Sequence, residues 1–330
     1  MALQLQDSLP NLVKLKYEAA KKSGALRFSE TQLAILRQRE TGLAFQLRYC
    51  PALAKKPTAD KSKGSSKPFD PFEAPTDDLL VAEVPVKNPS HILVLNKFPI
   101  IPQHFILATK QHKLQTHPLE PDDLIKTYAC LQSWGEGSSD CRRLFAFFNS
   151  GDESGASQPH RHIQLVPVEE MARDIPQGQS WSLLIDSILG SKESTPAGPF
   201  TIPGLPFKHY ALSLPTDPSA DTLMQTYVKL LQAAFSVTHD IDGLEKYIPS
   251  QHYNLAMTVS GMAIARRVKD AYTYTDPDGE KHSVAINGTI LAGTLMVKGE
   301  DEWRTLQDDP SRLNDVLRTI GDSAQHKDKL

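Results

Sequence analysis

Asn149-Ser150-Gly151-Asp152-Glu153-Ser154-Gly155-Ala156-Ser157-Gln158-Pro159-His160-Arg161-His162-Ile163-Gln164-Leu165-Val166-Pro167 joins a small polar loop to an alternating run. Glycines in the loop let backbone N–H groups come close to an anion, and the serine hydroxyls add donors. The run that follows reads as a strand. Side chains alternate along a strand, so His160, His162 and Gln164 share one face, and Arg161, Ile163 and Leu165 share the other. Two imidazoles and an amide in line beside such a loop suit attack on phosphorus: a neutral imidazole attacks, and the amide holds a non-bridging oxygen. An isolated His-x-His pair is more often a hydrogen-bonded core pair or part of a zinc site. Here a segment rich in Gly, Ser and Asn feeds directly into the pair, has no evident packing role, and tips the reading toward catalysis.

Upstream, Leu12, Leu15 and Ala19 fall on one face of a helix over residues 11–22, with Gly24 as its stop. Leu43, Phe45, Leu47 and Tyr49 alternate with Gly42, Ala44, Gln46 and Arg48, the period of a half-buried strand. Residues 55–68, almost devoid of apolar side chains, read as a mobile surface loop. His91–Leu95 and Phe105–Ala108 read as strands joined by a turn that two prolines stiffen. Pro121, Asp122 and Asp123 open a helix that carries Leu124, Tyr128 and Leu131 in register and ends near Trp134-Gly135. Leu144–Phe148 is a short buried strand that delivers Asn149 to the loop. Strand, strand, helix, strand and site strand make an α+β unit on an antiparallel sheet.

Downstream, residues 174–206 are punctuated by five prolines, and only Trp181–Leu189 reads as helical. This linker divides the chain into domains 1–190 and 191–330. The second repeats the plan of the first: strand Phe207–Leu214, helix Asp221–Phe235, then strands Tyr253–Val259 and Met262–Val268. Where the first has His160-Arg161-His162, the second has Ala263-Ile264-Ala265, a degenerate copy without a nucleophile. A hairpin turn over residues 276–279 and a helix with Leu313, Val316, Leu317 and Ile320 complete the chain.

The composition of 330 residues, 40% hydrophobic and 23% charged, fits a soluble globular protein of one large or two moderate domains. No run of about 18 apolar residues is present and no secretory signal is visible, so no membrane partner is expected. Cys50, Cys130 and Cys141 lack Cys-x-x-Cys spacing and fit a reducing, cytoplasmic setting, with the nucleus also compatible. A net charge of −3 gives no global attraction to nucleic acid, so a polyanionic ligand must rely on local lysines.

The site stretch resembles the histidine triad superfamily, in which His-x-His-x-His follows a strand ending in Asn and a loop of glycine and serine. Gln in place of the third histidine marks its branch of nucleotidyl transferases. Within that branch Asn149, Gly155-Ala156-Ser157-Gln158 and His160-Arg161-His162-Ile163-Gln164 look like the fungal diadenosine tetraphosphate phosphorylases, also called ATP adenylyltransferases, and the likeness extends over most of the chain. It implies a histidine triad-like antiparallel sheet with helices, duplicated, whose second copy completes the nucleotide site. It implies phosphate or nucleotide contacts at Lys56 of a Lys-Pro pair and at Asn96 and Lys97 of Asn-Lys-Phe-Pro. Asn287-Gly288-Thr289, Thr294 and Lys298 match positions that meet the second nucleotide or the phosphate chain. Thr294 departs from a usual methionine, and Ala263 to Arg267 lacks a common tryptophan and proline, which touches base or acceptor recognition rather than the nucleophile.

The reaction implied is phosphorolysis of diadenosine tetraphosphate to ADP and ATP, and the reverse nucleotidyl transfer, through an adenylyl-histidine. The resemblance makes the central histidine, His162, the nucleophile, and its neighbours His160 and Gln164 flank it on the same face. The expected partners are a dinucleoside polyphosphate, nucleotides and inorganic phosphate, with the protein a monomer. The spacing requires no cofactor, and magnesium carried on the polyphosphate is compatible with it. Two other classes stay open. A galactose-1-phosphate uridylyltransferase-like enzyme shares His-x-His-x-Gln, but usually has proline between the histidines and often binds zinc through cysteines absent here. A non-catalytic zinc or nucleotide-binding module would keep the pair and turn nothing over.

Overall fold

The alternation that defines the site strand places it inside a large antiparallel sheet. The computed structural model describes residues 3–52, 69–136, 142–191, 198–276 and 278–321. Along the first half run α1 (Leu9–Ser23), β1 (Gln32–Arg37), β2 (Ala44–Tyr49), β3 (Leu80–Val84), β4 (His91–Leu95), β5 (Phe105–Thr109), α2 (Pro121–Gly135), β6 (Leu144–Ser150) and β7 (His162–Pro167). Next come α3 (Val168–Ala172), α4 (Leu184–Leu189), β8 (Tyr210–Ser213), α5 (Ala220–Phe235) and α6 (Ile241–Tyr247). The remainder is β9 (His252–Thr258), β10 (Gly261–Arg267), β11 (Ala271–Thr275), β12 (Lys281–Ala285), β13 (Thr294–Val297), α7 (Glu300–Asp308) and α8 (Arg312–Arg318).

Eight strands form one sheet in the order β3-β4-β5-β7-β6-β9-β10-β8, all neighbours antiparallel. The path β5-α2-β6-β7 yields the order β5-β7-β6, and the path β8-α5-β9-β10 yields β8-β10-β9, mirrored about the β6–β9 seam. At that seam Asn149 lies opposite Asn254, and Ala265 on β10 is the next partner of Asn254. The expected boundary at residue 190 therefore does not coincide with a break in the sheet, because β6 of the first half and β9 of the second are hydrogen-bonded neighbours.

One face of the sheet is covered by α1, α2 and α5, which bury Val13, Leu124, Tyr128, Tyr227 and Leu230 in one core with Leu107, Phe148 and Ile163. Part of the other face carries a second core, in which Phe45 and Leu47 of β2, Ile185 of α4 and Leu317 of α8 meet Phe147, Val166 and Ala263. Beyond it, toward β4 and β5, a small cluster among the described residues sets Phe72 against Ile92, Val94, Ile106 and Ala108 of the strands themselves. Ile106 and Ala108 are the cross-strand partners of Gln164 and His162, so the site lies beside this small cluster, where the second core ends.

Two local expectations are corrected. The buried stripe of α1 is Leu9, Val13, Tyr17 and Ala20, and Leu15 is 66% exposed. Both stripes have helical spacing, and the one that carries the aromatic ring removes more apolar area from water. β2, paired at its edges by β1 and β13 in a three-stranded sheet, is buried on both faces, with Phe45 and Leu47 in the second core and Gln46 and Arg48 turned to the Met171 carbonyl. Its inward Arg48 is satisfied by Gln46 Oε1 at 2.9 Å, the Met171 carbonyl at 2.6 Å and Thr31 Oγ1 at 3.0 Å. The loop expected at 55–68 and Pro277 of the hairpin turn lie outside the described residues, while β11 and β12 form the hairpin expected around that turn.

Candidate active site

The β6–β7 ladder runs from Leu144–Pro167 to Phe147–Gln164 and stops there, two residues short of His162. Gln115, from the connection after β5, fills the gap. Its Oε1 accepts the His162 N–H at 2.7 Å, and its Nε2 donates to the carbonyls of Asn149 at 2.8 Å and His162 at 3.1 Å. The backbone of the central histidine is thus held by a side chain in place of a strand.

His162 is buried, and its Nδ1 lies 2.7 Å from the His160 carbonyl. A carbonyl only accepts, so Nδ1 carries the proton and the lone pair is left on Nε2. Burial pushes the imidazole down to about 4, only partly opposed by that hydrogen bond, so the ring is neutral near pH 7. Phe72 lies over it at 5.1 Å between ring centroids.

His160 is also buried, in an isolated bridge to Leu114 just before β7 begins. Its Nε2 lies 2.7 Å from the Thr109 carbonyl, and its Nδ1 lies 2.7 Å from Asp70 Oδ2. With both ring nitrogens spoken for, His160 is fixed as the support of the carbonyl that orients His162. Despite the cost of burial, hydrogen bonds from the Phe72 N–H and from His160 hold the Asp70 carboxyl below its usual range. On the opposite face Arg161 is sealed by Asp123 at 2.9 Å and Glu120 at 2.8 Å, in the first turn and at the N-cap of α2.

The loop before the pair is a tight turn. The N–H groups of Gly155 and Ala156 bond to the carbonyls of Asp152 and Gly151 at 2.9 and 3.3 Å, which takes them out of any anion cradle. Those of Ser157 and Gln158 make no backbone hydrogen bond among the described residues. Gly155 has φ +82°, and a Cβ there would lie 2.8 Å from Asn287 Cβ. The glycine thus serves a close approach by the second half, a packing role that the sequence did not reveal.

Asn149 stitches the same seam. Its Oδ1 accepts the Gly288 N–H and Asn254 Nδ2, each at 2.9 Å, and Asn254 also donates to the Ser154 carbonyl at 2.9 Å. Asn287 Oδ1 caps the short turn that follows by accepting from Thr289 N at 2.9 Å and Thr289 Oγ1 at 2.8 Å, and Thr289 Oγ1 bonds the Thr294 carbonyl at 3.0 Å. Asn149, Gly155, Asn287 and Gly288 are therefore brought together, whereas Thr289 and Thr294 are buried behind them. Lys97 is exposed, with its ammonium 5.9 Å from the Phe98 ring, and Lys298 is exposed just past β13. Lys56 lies outside the described residues. Asn96 reaches Gln164 through His104: Asn96 Nδ2 is 3.1 Å from His104 Nδ1, and His104 Nε2 is 2.7 Å from Gln164 Oε1.

Asp70, Phe72, His104, Thr109, His112 and Gln115 are the site residues that sequence reasoning missed. Asp70, His112 and His160 bring ligand atoms within 4.8 Å of one another, the group best able to hold a metal among the described residues. Two imidazoles and one carboxylate suit zinc more than magnesium, which favours oxygen donors.

The family described as Ap4A phosphorylase N-terminal domain matches residues 2–179, and that described as ATP adenylyltransferase C-terminal domain matches residues 203–323. Diadenosine 5',5'''-P1,P4-tetraphosphate phosphorylase 2 of Saccharomyces cerevisiae is 29% identical over 96% of this chain and 95% of its own. Protein APA1 of the same yeast is 26% identical over 97% and 96%. Among solved structures, yeast Ap4A phosphorylase Apa2 in complex with Ap4A superimposes with a TM-score of 0.78 at 26% identity, covering 98% of this chain and 100% of that one. The Apa2 complex with AMP gives 0.77 over the same shares. With both matched regions lying in order along one shared sheet, the chain belongs to the Ap4A phosphorylase family.

Proposed function

We infer that this chain cleaves diadenosine tetraphosphate by phosphorolysis and runs the reverse nucleotidyl transfer, with His162 as the adenylyl carrier. The observation that carries the reading is the tautomer of His162: Nδ1–H is committed to the His160 carbonyl at 2.7 Å, and Nε2 keeps its lone pair. Nε2 attacks the α-phosphorus, the N–P bond forms, and the P–O bond to the departing ATP breaks. The ring becomes a cation, and the carbonyl that accepts Nδ1–H is placed to stabilise it. Inorganic phosphate then attacks the same phosphorus. The N–P bond breaks, ADP leaves, and the ring is neutral again. Gln164 and the N–H groups of Ser157 and Gln158 serve the phosphoryl oxygens, and the apolar bed of Ile92, Val94 and Ile106 adjoins Gln164 through Ile106, its cross-strand partner. The second half already packs on the loop through Asn287 and on β6 through Gly288, which supports a monomer with a complete site.

The test is turnover of diadenosine tetraphosphate with and without phosphate. ADP and ATP should form only with phosphate, and protein quenched in base should carry an AMP-sized mass on His162 that acid removes. His162→Ala should lose turnover by a factor on the order of 10⁶. AMP and ATP formed at an undiminished rate without phosphate would make the protein a hydrolase, and an adduct mapped to His160 would move the nucleophile.

A further inference from the structure

We propose that His104 is a positioning residue that fixes which way Gln164 faces, turning an ambivalent amide into a pure donor and thereby selecting phosphate over water as adenylyl acceptor. This rests on the adenylyl-transfer reading above. The polarity can be traced from a group that has only one option. The backbone N–H of Phe98 can only donate, and it lies 3.0 Å from the Asn96 side chain, so that atom is Oδ1. The other end of the amide, Nδ2, then donates to His104 Nδ1 at 3.1 Å. An imidazole nitrogen that accepts leaves the ring proton on the other one, so Nε2–H donates to Gln164 Oε1 at 2.7 Å. Gln164 Nε2 is left with no hydrogen-bond partner among the described residues, and the half-buried Gln164 shares its strand face with buried His162.

The consequence is chemical. A non-bridging phosphoryl oxygen needs donors, and Gln164 Nε2 offers them. An attacking water needs an acceptor for its hydrogen, and the acceptor end of Gln164 is already occupied by His104. Phosphate at neutral pH brings its own nucleophilic oxygen anions and needs no such help. Without His104 the amide can turn over, its oxygen then meeting the phosphoryl group or holding a water.

The experiment is a double-mutant cycle between His104→Ala and Gln164→Ala, with ADP and AMP both counted. On the wild-type background His104→Ala should lower phosphorolysis on the order of 10²-fold, the scale of losing one transition-state donor, and raise the share of AMP. On the Gln164→Ala background it should cost less than about twofold, because nothing remains to be positioned. His104→Gln, whose amide nitrogen can stand where the imidazole Nε2 does, should recover most of the rate, and His104→Asn, too short to reach, should not. Equal losses on both backgrounds, or an unchanged AMP share in a His104→Ala protein with unchanged thermal stability, would overturn the proposal. A wild type that makes no ADP would instead sink the functional reading and this proposal with it, an outcome that the variants alone cannot produce.

Discussion

At the scale of single residues, catalysis depends on where protons are kept. Burial holds His162 neutral down to about pH 4, so its ionisation should not cut the rate as pH falls from 8 to 5.5. A kcat/KM profile with an acid limb near 6.5 that vanishes in a variant exposing His162 would contradict this. Gln115 should matter almost as much, though it touches no reacting atom. Gln115→Leu keeps bulk but strands the His162 N–H and two carbonyls, at about 1–3 kcal/mol for each buried group left unpaired. Urea unfolding should show the loss, and a stability within 0.5 kcal/mol of wild type would mean that water replaces the amide. His160, His162 and Gln164 were legible because a strand has a period of two, and three chemical side chains in that period declare their common face. Asp70, Phe72, His104 and Gln115 were not, since each arrives from a turn or connection whose path is set by tertiary packing and has no period to read.

At the scale of elements, the loop from Gly151 to Gln158 carries a packing constraint that its composition does not announce. Its glycines suit the close approach of an anion, yet Gly155 is pinned by a left-handed φ of +82° and by Asn287 where a Cβ would stand. Gly155→Ala should cost about 1–3 kcal/mol from the backbone alone, with a further penalty as Asn287 is pushed back. Its signature would be a lower Tm together with lost turnover. An alanine variant with wild-type melting and activity would show that the loop relaxes freely. The helices were legible as elements through caps and spacing: Gly24 closes α1, and Pro121 with Asp122 and Asp123 opens α2. Which stripe of α1 turns inward was not, because two apolar stripes competed and the deciding contact, Tyr17 in the core with Leu9 and Val13, is tertiary.

At the scale of the whole molecule, the β6–β9 seam makes one body of two similar paths. The order of elements on each side could be read from the sequence, but the pairing of β6 with β9 could not, since strand partners distant in the chain leave no local mark. Two buried histidines tie this body to pH. His209, whose Nδ1 donates to the Phe207 carbonyl and whose Nε2 accepts the Ile202 N–H, is pushed down to about 4 like His162. Each is neutral in the fold and takes a proton near 6.5 when unfolded. Their contribution is therefore whole above about pH 6.5 and is lost as pH falls toward about 4, on the order of 3 kcal/mol each; a melting temperature flat across that interval would contradict it. The seam predicts more. β6 is buried along its whole length and β9 along all but His252, and β13 of the second half is the parallel partner of β2 in the first. Cutting the chain between 190 and 198 would leave each half with an unpaired apolar edge in the main sheet, and the small sheet without a strand. Such edges recruit other chains. Fragments 1–190 and 198–330 should thus be insoluble or unfolded when made alone and recover a folded, active pair only when made together, while the intact chain should unfold in a single transition seen alike by fluorescence and circular dichroism. A fragment 1–190 that is soluble, monomeric and cooperatively folded would show that the first half closes its own sheet and that the seam is an interface between finished domains.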